Sequence, residues 1–441
     1  MRSLLKQNWP LVLALVITTI TQIAYWVAKS ELGNCYDCGE YQDLANFISR
    51  DPKNIISDLR PPLYPIFLIA VGLASPSIQG DFNLYLFQSV FLVLSLIVFW
   101  RLIKTSGLPQ FLSWIPILLL AISPAFYSFT KFKMTETINM FLLLTLITLA
   151  LKLKERLSLK DIFVFCVVSV IATFLRFANS YLAFVMLLGI FVYYRKNLKY
   201  DQNLIKLGLA VVLIVIPQVL YSFANLHRNY YYGLTGETGT NLLGKLVQYQ
   251  LIPKKDPQFQ EIINAVSGCT GPLASSDVYT CVWNFLPKNS FVSKYSATNQ
   301  YVDAFTKKYI VLNLPTYILK SIPVAFEAVS APADMYLVLS QTSHPLFVAE
   351  KAIAVLIHKI LVVWLFILLP LFLILFWKKI FKNEYFIVLL FLTICLYYVA
   401  ITGLAAINDY QRIATPALPL LYFLMTFTTY KLTNVTKIKQ K

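Results

Sequence analysis

The sequence predicts an all-α polytopic membrane protein: about ten transmembrane helices, outer juxtamembrane helices and one large outer loop segment. Three observations predict it. The 441 residues are 58% hydrophobic and only 13% charged, with a mean hydropathy of +0.65, whereas a soluble globular chain carries roughly 25% charged residues. Several apolar runs reach the ~20 residues that cross a bilayer as a helix. The net charge is +17, and about half of the Lys and Arg fall in short clusters beside those runs, the positive-inside pattern. That distribution argues against nucleic acid as a partner and marks a cytoplasmic face lying on anionic lipids.

The clusters order the spans. Arg2 and Lys6 precede the run from Leu11 to Val27. MRSLLKQNWP resembles a signal-peptide n-region, but the run after it is long and lacks a small-residue cleavage pattern, so it reads as an uncleaved first helix at about 9–28. Residues 29–82 lie outside, and a helix at about 83–103 returns to Arg101 and Lys104. Helices at about 111–129 and 135–151 exit and return to KLKERLSLK. The next basic cluster, RKNLK, must also lie inside, so the residues between cross twice, with a break at RFANS (176–180). A helix at about 204–223 exits. Helices at about 360–377, 384–403 and 413–430 complete the spans, with both termini inside. PPLYPIFLIAVGLA (61–74) is too short to cross, and no basic cluster follows it. It is expected as an interfacial or re-entrant helix, with Pro suited to its first turn.

Three regions follow. Residues 1–223 form an N-terminal transmembrane module containing the outer loop 29–82. Residues 224–345 form a large extracytoplasmic segment, too long for a mere connector. Its later part, LPTYILKSIPVAFEAVSAPADMYLVLS, reads as broken amphipathic helices on the membrane surface. Residues 346–441 hold interfacial residues and the last helices. Cys166 and Cys395 fall in spans as inert thiols. Cys35, Cys38, Cys269 and Cys281 all fall outside, and an even number there favours disulfides, Cys269 with Cys281 and Cys35 with Cys38. A zinc site would need further ligands, and His227, His344 and His358 are far away in sequence.

The chemistry-bearing residues begin with CYDCGEYQDLA, which packs Asp37, Glu40 and Asp43 into seven positions of a chain with only 21 acids. Asp37-x-x-Glu40 has the spacing of a helix capping box, and Tyr41, Leu44, Ala45 and Ile48 follow at helical spacing. A surface-helix cap and a catalytic carboxylate are both open readings of Asp37, and compatible ones. After it come LRPPLYPIFLIA with Arg60, KMTETINMFLLLTLITLAL with Glu136, FLRFANS with Arg176, and NDYQRIATPALP with Arg412. Each has a structural alternative: Glu136 as a helix N-terminal acid, Arg176 as a snorkelling arginine, Arg60 as a partner of Asp58, Arg412 as a partner of Asp409, and Tyr41 as packing.

This order resembles the GT-C class of membrane glycosyltransferases, and in particular the bacterial branch akin to protein mannosyltransferases and the aminoarabinose transferase of lipid A. There an acid and a Tyr in the first outer loop are followed by R-P-P-L-Y-P, a Thr-Glu opening a helix, an Arg-Pro break and a late Arg before prolines. Phe177 stands here where a Pro is common. The resemblance covers most of residues 1–195 and, more thinly, 400–420. It implies an inverting enzyme that takes a sugar from a polyprenyl-phosphate lipid at the outer face of the plasma (inner) membrane. The acceptor would be a glycan, lipid or protein. On that reading Asp37 is the base, Glu40 and Glu136 orient the acceptor or hold a divalent metal, and Arg60, Arg176 and Arg412 bind the phosphate, with Tyr41, His227 and Arg228 as further binding candidates. Metal dependence differs among such enzymes and stays open. No nucleotide-binding motif is present. Two other readings stand beside it: a polysaccharide polymerase or ligase using lipid-linked glycans, and a lipid or glycan transporter. Against the transporter, charges collect at the span rims rather than near the midplane.

Overall fold

The computed structural model describes residues 2–28, 32–33, 35–194, 202–269, 281–282, 295–330, 345–380, 382, 385–406, 412 and 414–438. Its regular elements are helices; the one extended pairing among the described residues is an isolated bridge between Gly33 and Phe132. Lipid imposes this outcome, because a spanning segment must satisfy every backbone N–H and C=O within itself.

The spans run through α1 (Arg2–Ala28), α4 (Ile78–Thr105), α5 (Trp114–Ile122), α7 (Glu136–Glu155), α8 (Leu159–Leu175), α9 (Leu182–Tyr194) and α10 (Gln202–Asn229). Seven described helices are long and apolar enough to cross a membrane, and up to nine if two bent pairs count as one span each. One bent pair lies at the third expected span, where α5 turns by 67° into a short α6 (Pro124–Tyr127). Pro124 has no N–H to continue α5 and sits at the first position of the next helix, where none is needed. At 17 residues, α8 is about 26 Å long, just short of the ~30 Å hydrocarbon core.

Between the spans lie α2 (Tyr36–Arg50) and α3 (Leu63–Ala70). The apolar stripe of α2, Tyr41, Leu44, Ala45 and Ile48, is buried, and α2 packs on α3. The expected 61–74 helix is thus a short one, seated inside the fold by buried Tyr64, Pro65 and Leu68. It ends at Gly72, whose φ of +89° turns the chain so that Leu73 N–H reaches the Leu68 carbonyl at 2.8 Å.

The central helix is α7: 72% of its most apolar window is buried, against 22% for α10. It packs on α4, α8 and α9. Polar clips fix the break after α8. Asn179 Nδ2 donates to Asn139 Oδ1 (2.7 Å) and to the Ala172 carbonyl (2.9 Å), and Tyr398 OH donates to Asn179 Oδ1 (3.0 Å). Such bonds hold helices together where the surroundings offer no competing water.

The outer segment holds α11 (Glu237–Gln248), α12 (Gln260–Val266), α13 (Tyr295–Leu312) and α14 (Leu314–Ser330). Leu243, Leu246, Phe259, Ile262, Phe305 and Tyr317 form their own core, beside a Cys269–Cys281 disulfide. The chain bends by 97° between α13 and α14, and α14 lies against the later span α17 (Phe386–Ala405).

One expectation is corrected here. The residues before 360 do not form a separate interfacial stretch. They are α15 (Pro345–Val363), which runs through a π-turn at Trp364–Leu368 into α16 (Leu369–Ile380). The buried Trp364 donates to Thr428 Oγ1 (2.8 Å) on α18 (Leu418–Ile438), which locks the widened turn. His358 and Lys359 therefore sit within a continuous helix.

The arrangement predicts sidedness. Single cysteines placed at exposed Asp43 and Lys160 should react with an impermeant maleimide from opposite sides of sealed vesicles. Labelling from the same side would overturn the span order.

A candidate active site at the outer helix ends

The site starts at the first turn of α2. Its N-cap is Cys35, whose sulfur accepts from Cys38 N–H (3.1 Å) while the two cysteines are disulfide-bonded. Asp37 is therefore inside the helix and is not its cap, which answers the capping-box alternative. Cys38 packs on Phe129, Phe132 and Met134, and Gly33 N–H bonds the Lys131 carbonyl (2.7 Å). The loop that presents Asp37 is thus joined to the turn that leads into Glu136.

Arg60 comes from the stretch before Pro61. The Tyr221 hydroxyl accepts from Ser57 N–H (3.0 Å) and donates to the Ser57 carbonyl (2.9 Å). Arg60 Nη2 meets Asp37 Oδ1 at 2.6 Å. Its Nε and Nη2 meet Glu40 Oε2 at 2.6 and 2.5 Å, and its Nη1 meets Glu237 Oε2 at 3.2 Å. The guanidinium lies 5.4 Å from the centre of the Tyr41 ring. On the other side, Arg412 Nη1 meets Asp37 Oδ2 at 2.6 Å. Glu136 Oε1 takes both Arg176 Nη1 (3.2 Å) and Arg412 Nε (3.4 Å).

Asp37, Tyr41, Arg60, Glu136, Arg176, Glu237 and Arg412 line one cavity of about 310 Å³. Glu40 stands behind Arg60. It lines a second cavity with Asp43, Asn54, Asp58 and Arg228 that shares Leu59 and Arg60 with the first. Arg228 faces this second cavity, bonded to Asn54 (2.7 Å). His227 is exposed and lines neither cavity. Asp409, the alternative partner of Arg412, lies outside the described residues.

Electrostatics separate the carboxyls. Burial raises the pKa of Asp37, but Arg412 and Arg60 outweigh it and hold the group well below the usual carboxylate range. Burial dominates at Glu237 and pushes it up to about 8; Glu40 and Asp37 add to the rise, while Arg60 and Arg412 oppose it. Burial likewise pushes Tyr41 up to about 12. The cluster thus sets three arginines against four carboxyls, Asp37, Glu40, Glu136 and Glu237. No described group of three or more His, Cys, Asp or Glu is arranged to hold a metal ion. Each carboxyl turns an oxygen to a guanidinium.

Glu237 is the residue that the sequence reading missed. Thr235 OH donates to the Leu59 carbonyl (2.9 Å), and Gly236 N–H donates to the Asp58 carbonyl (2.7 Å), so TGETG docks on the Arg60 stretch. Its one sequence signal is an acid at the start of a helix within an acid-poor chain.

Arg60→Ala takes from half-buried Asp37, Glu40 and Glu237 the guanidinium they share, while Asp37 keeps Arg412, and should cost about 1–3 kcal/mol. Arg60→Lys should recover only part, because an ammonium cannot reproduce the fork. Thermal unfolding of the protein in lipid nanodiscs reads both; an unchanged Arg60→Ala midpoint would contradict the hub.

No protein-family model matches the chain, and no curated protein matches it. Solved structures do match its fold. The archaeal oligosaccharyltransferase AglB from Archaeoglobus fulgidus, in complex with an inhibitory peptide and a dolichol-phosphate, aligns with a TM-score of 0.50 at 12% identity, over 99% of this chain and 52% of that one. An Archaeoglobus fulgidus oligosaccharyltransferase in the apo form aligns at 0.49 and 11% identity, over 98% and 52%. The chain spans about half the length of the structures it matches. Over almost its whole length, the chain shares the fold of that archaeal oligosaccharyltransferase.

Proposed function

We propose that the protein is an inverting glycosyltransferase that moves a sugar from a polyprenyl-phosphate lipid to a glycan, lipid or protein hydroxyl on the extracytoplasmic face. One observation carries this reading: a carboxylate, Asp37, is held between two guanidiniums in a cavity at the helix ends. The acceptor oxygen attacks the anomeric carbon, and the bond from that carbon to the phosphate oxygen breaks. The electron pair leaves with the lipid phosphate, and the acceptor proton passes to Asp37. A single displacement inverts the anomeric centre.

The remaining groups suit that step. Arg412, Arg176 and Arg60 offer N–H donors to the charge that collects on the departing phosphate. Glu136 and Glu40 position those arginines. One wall of the cavity is apolar, with Phe177, Ala178, Ile401 and Ala405 beside Tyr181, and Tyr181 is 69% exposed, as suits a lipid-borne donor. The oligosaccharyltransferase of the same fold holds a dolichol-phosphate and a peptide, which supports a lipid phosphate with an acceptor close by.

Asp37 between two arginines is a poor base, because its charge is too well stabilised. A lipid phosphate that draws Arg412 toward itself would weaken that hold and raise the Asp37 pKa. The base would then gain strength only when the donor is in place. Asp37 is depressed below its ordinary value, so its charged form persists through neutral pH and is lost only as pH falls into the acid range.

The experiment presents purified protein in lipid with a panel of polyprenyl-phosphate sugars and follows release of polyprenyl phosphate, with and without a chelator. Asp37→Asn should lower release by about 10²–10⁴-fold, and the chelator should have no effect. Release that survives in the folded variant would remove Asp37 as the base; loss with the chelator would restore a metal to the mechanism.

A further inference from the structure

Among the described residues, Glu237 is the ionisable side chain that the outer segment brings into the main cavity. Its setting differs from that of the other acids. Asp37 and Glu40 meet Arg60 at 2.5–2.6 Å, and Glu136 receives two arginines on one oxygen. Glu237 makes one ion-pair contact, Oε2 to Arg60 Nη1 at 3.2 Å. Its Oε1 is buried and has no hydrogen-bond partner among the described residues; Glu136 Oε2 shares that state, but the other oxygen of Glu136 faces two guanidiniums where Glu237 has one. A neutral carboxylic acid takes this form: the carbonyl oxygen accepts from the guanidinium, and the hydroxyl is left to donate. Three carboxyls on one guanidinium also leave an excess of negative charge, which favours a proton on the most weakly held.

The surroundings agree. Asp37 and Glu40 on α2 disfavour ionisation of Glu237; Arg60 and Arg412 favour it; burial decides for the proton. Of the other charged groups nearby, Glu136 and Arg176 pair with each other, and Asp58 lies in the loop to which TGETG is docked. That docking fixes the backbone of Glu237 beside the cavity that it lines.

We propose that Glu237 is a positioning residue for the donor, its carboxyl O–H donating to a non-bridging oxygen of the lipid phosphodiester while Arg60 holds the same carboxyl from behind. This inference rests on the lipid-phosphate reading above. A neutral donor adds a charge-assisted hydrogen bond without another cation, whereas an ionised Glu237 in that place would repel the phosphate.

The test uses undecaprenyl methyl phosphate, a diester whose charge is constant across the range used. Its binding to the full chain in nanodiscs is measured from about pH 5.5 to about pH 9.5 for the wild type, Glu237→Gln and Glu237→Ala. The wild type should bind evenly in acid and weaken above about pH 8, toward tenfold per unit, as Glu237 loses its proton. Glu237→Gln keeps an N–H donor and should bind as the wild type does in acid but without the alkaline fall. Glu237→Ala should bind about 10–100-fold more weakly throughout. Wild-type affinity in Glu237→Ala, or an alkaline fall that persists in Glu237→Gln, would overturn the inference while leaving the lipid-phosphate reading intact. Failure of the wild type to bind at any pH would remove that reading and the inference together.

Discussion

A single guanidinium organises the outer face of this molecule. Arg60 reaches Asp37 and Glu40 on one helix and Glu237 on another, so three stretches far apart in the chain meet on one planar fork. Arginine suits the task where lysine would not: its donors are fixed in direction, and its charge is weakly hydrated, which lowers the cost of taking it from water. Pro61 biases Arg60 away from the helical region, because the proline ring crowds the backbone before it. The fork is aimed before any partner arrives.

This arrangement explains why the acids can be buried so close together. Removing one carboxylate from water costs several kcal/mol unless it is paired. Here each of the four acids faces an arginine. The central helix α7 supplies the frame, bringing Glu136 to its outer end against Arg176 and Arg412. The Asn139–Asn179–Tyr398 clip holds the break from which Arg176 projects. Structure and chemistry use the same contacts, because the ion pairs that join the helices also define the cavity.

Much of this was legible in the sequence. Lys and Arg clusters outside apolar runs separate the helices because moving them into lipid is costly, and the break at RFANS followed from two basic clusters on one side. Asp37, Arg60, Glu136, Arg176 and Arg412 stood out because charged residues are scarce next to spans. Glu237 did not, because its meaning lies in hydrogen bonds from Thr235 and Gly236 to a loop some 180 residues earlier, which no local pattern encodes. His227 and Arg228 look equivalent in sequence, yet neighbours on a helix point about 100° apart, and only Arg228 lines a cavity. The run through 345–380 was broken too early because His358 and Lys359 resemble an interface, although long polar side chains can lie along a helix and reach out of it.

The Arg412–Asp37 ion pair also has a temporal side. Its two halves are separated by most of the polypeptide, and ribosomes add about 5–20 residues per second. The carboxylate thus emerges roughly 20–75 seconds before the arginine that will face it. Until then the nascent chain must keep the first acidic helix in contact with water, while later spans insert around it. Biogenesis therefore ends where catalysis is proposed to begin: the last guanidinium to arrive closes the cleft, and a chain truncated before it would be inserted, yet unfinished.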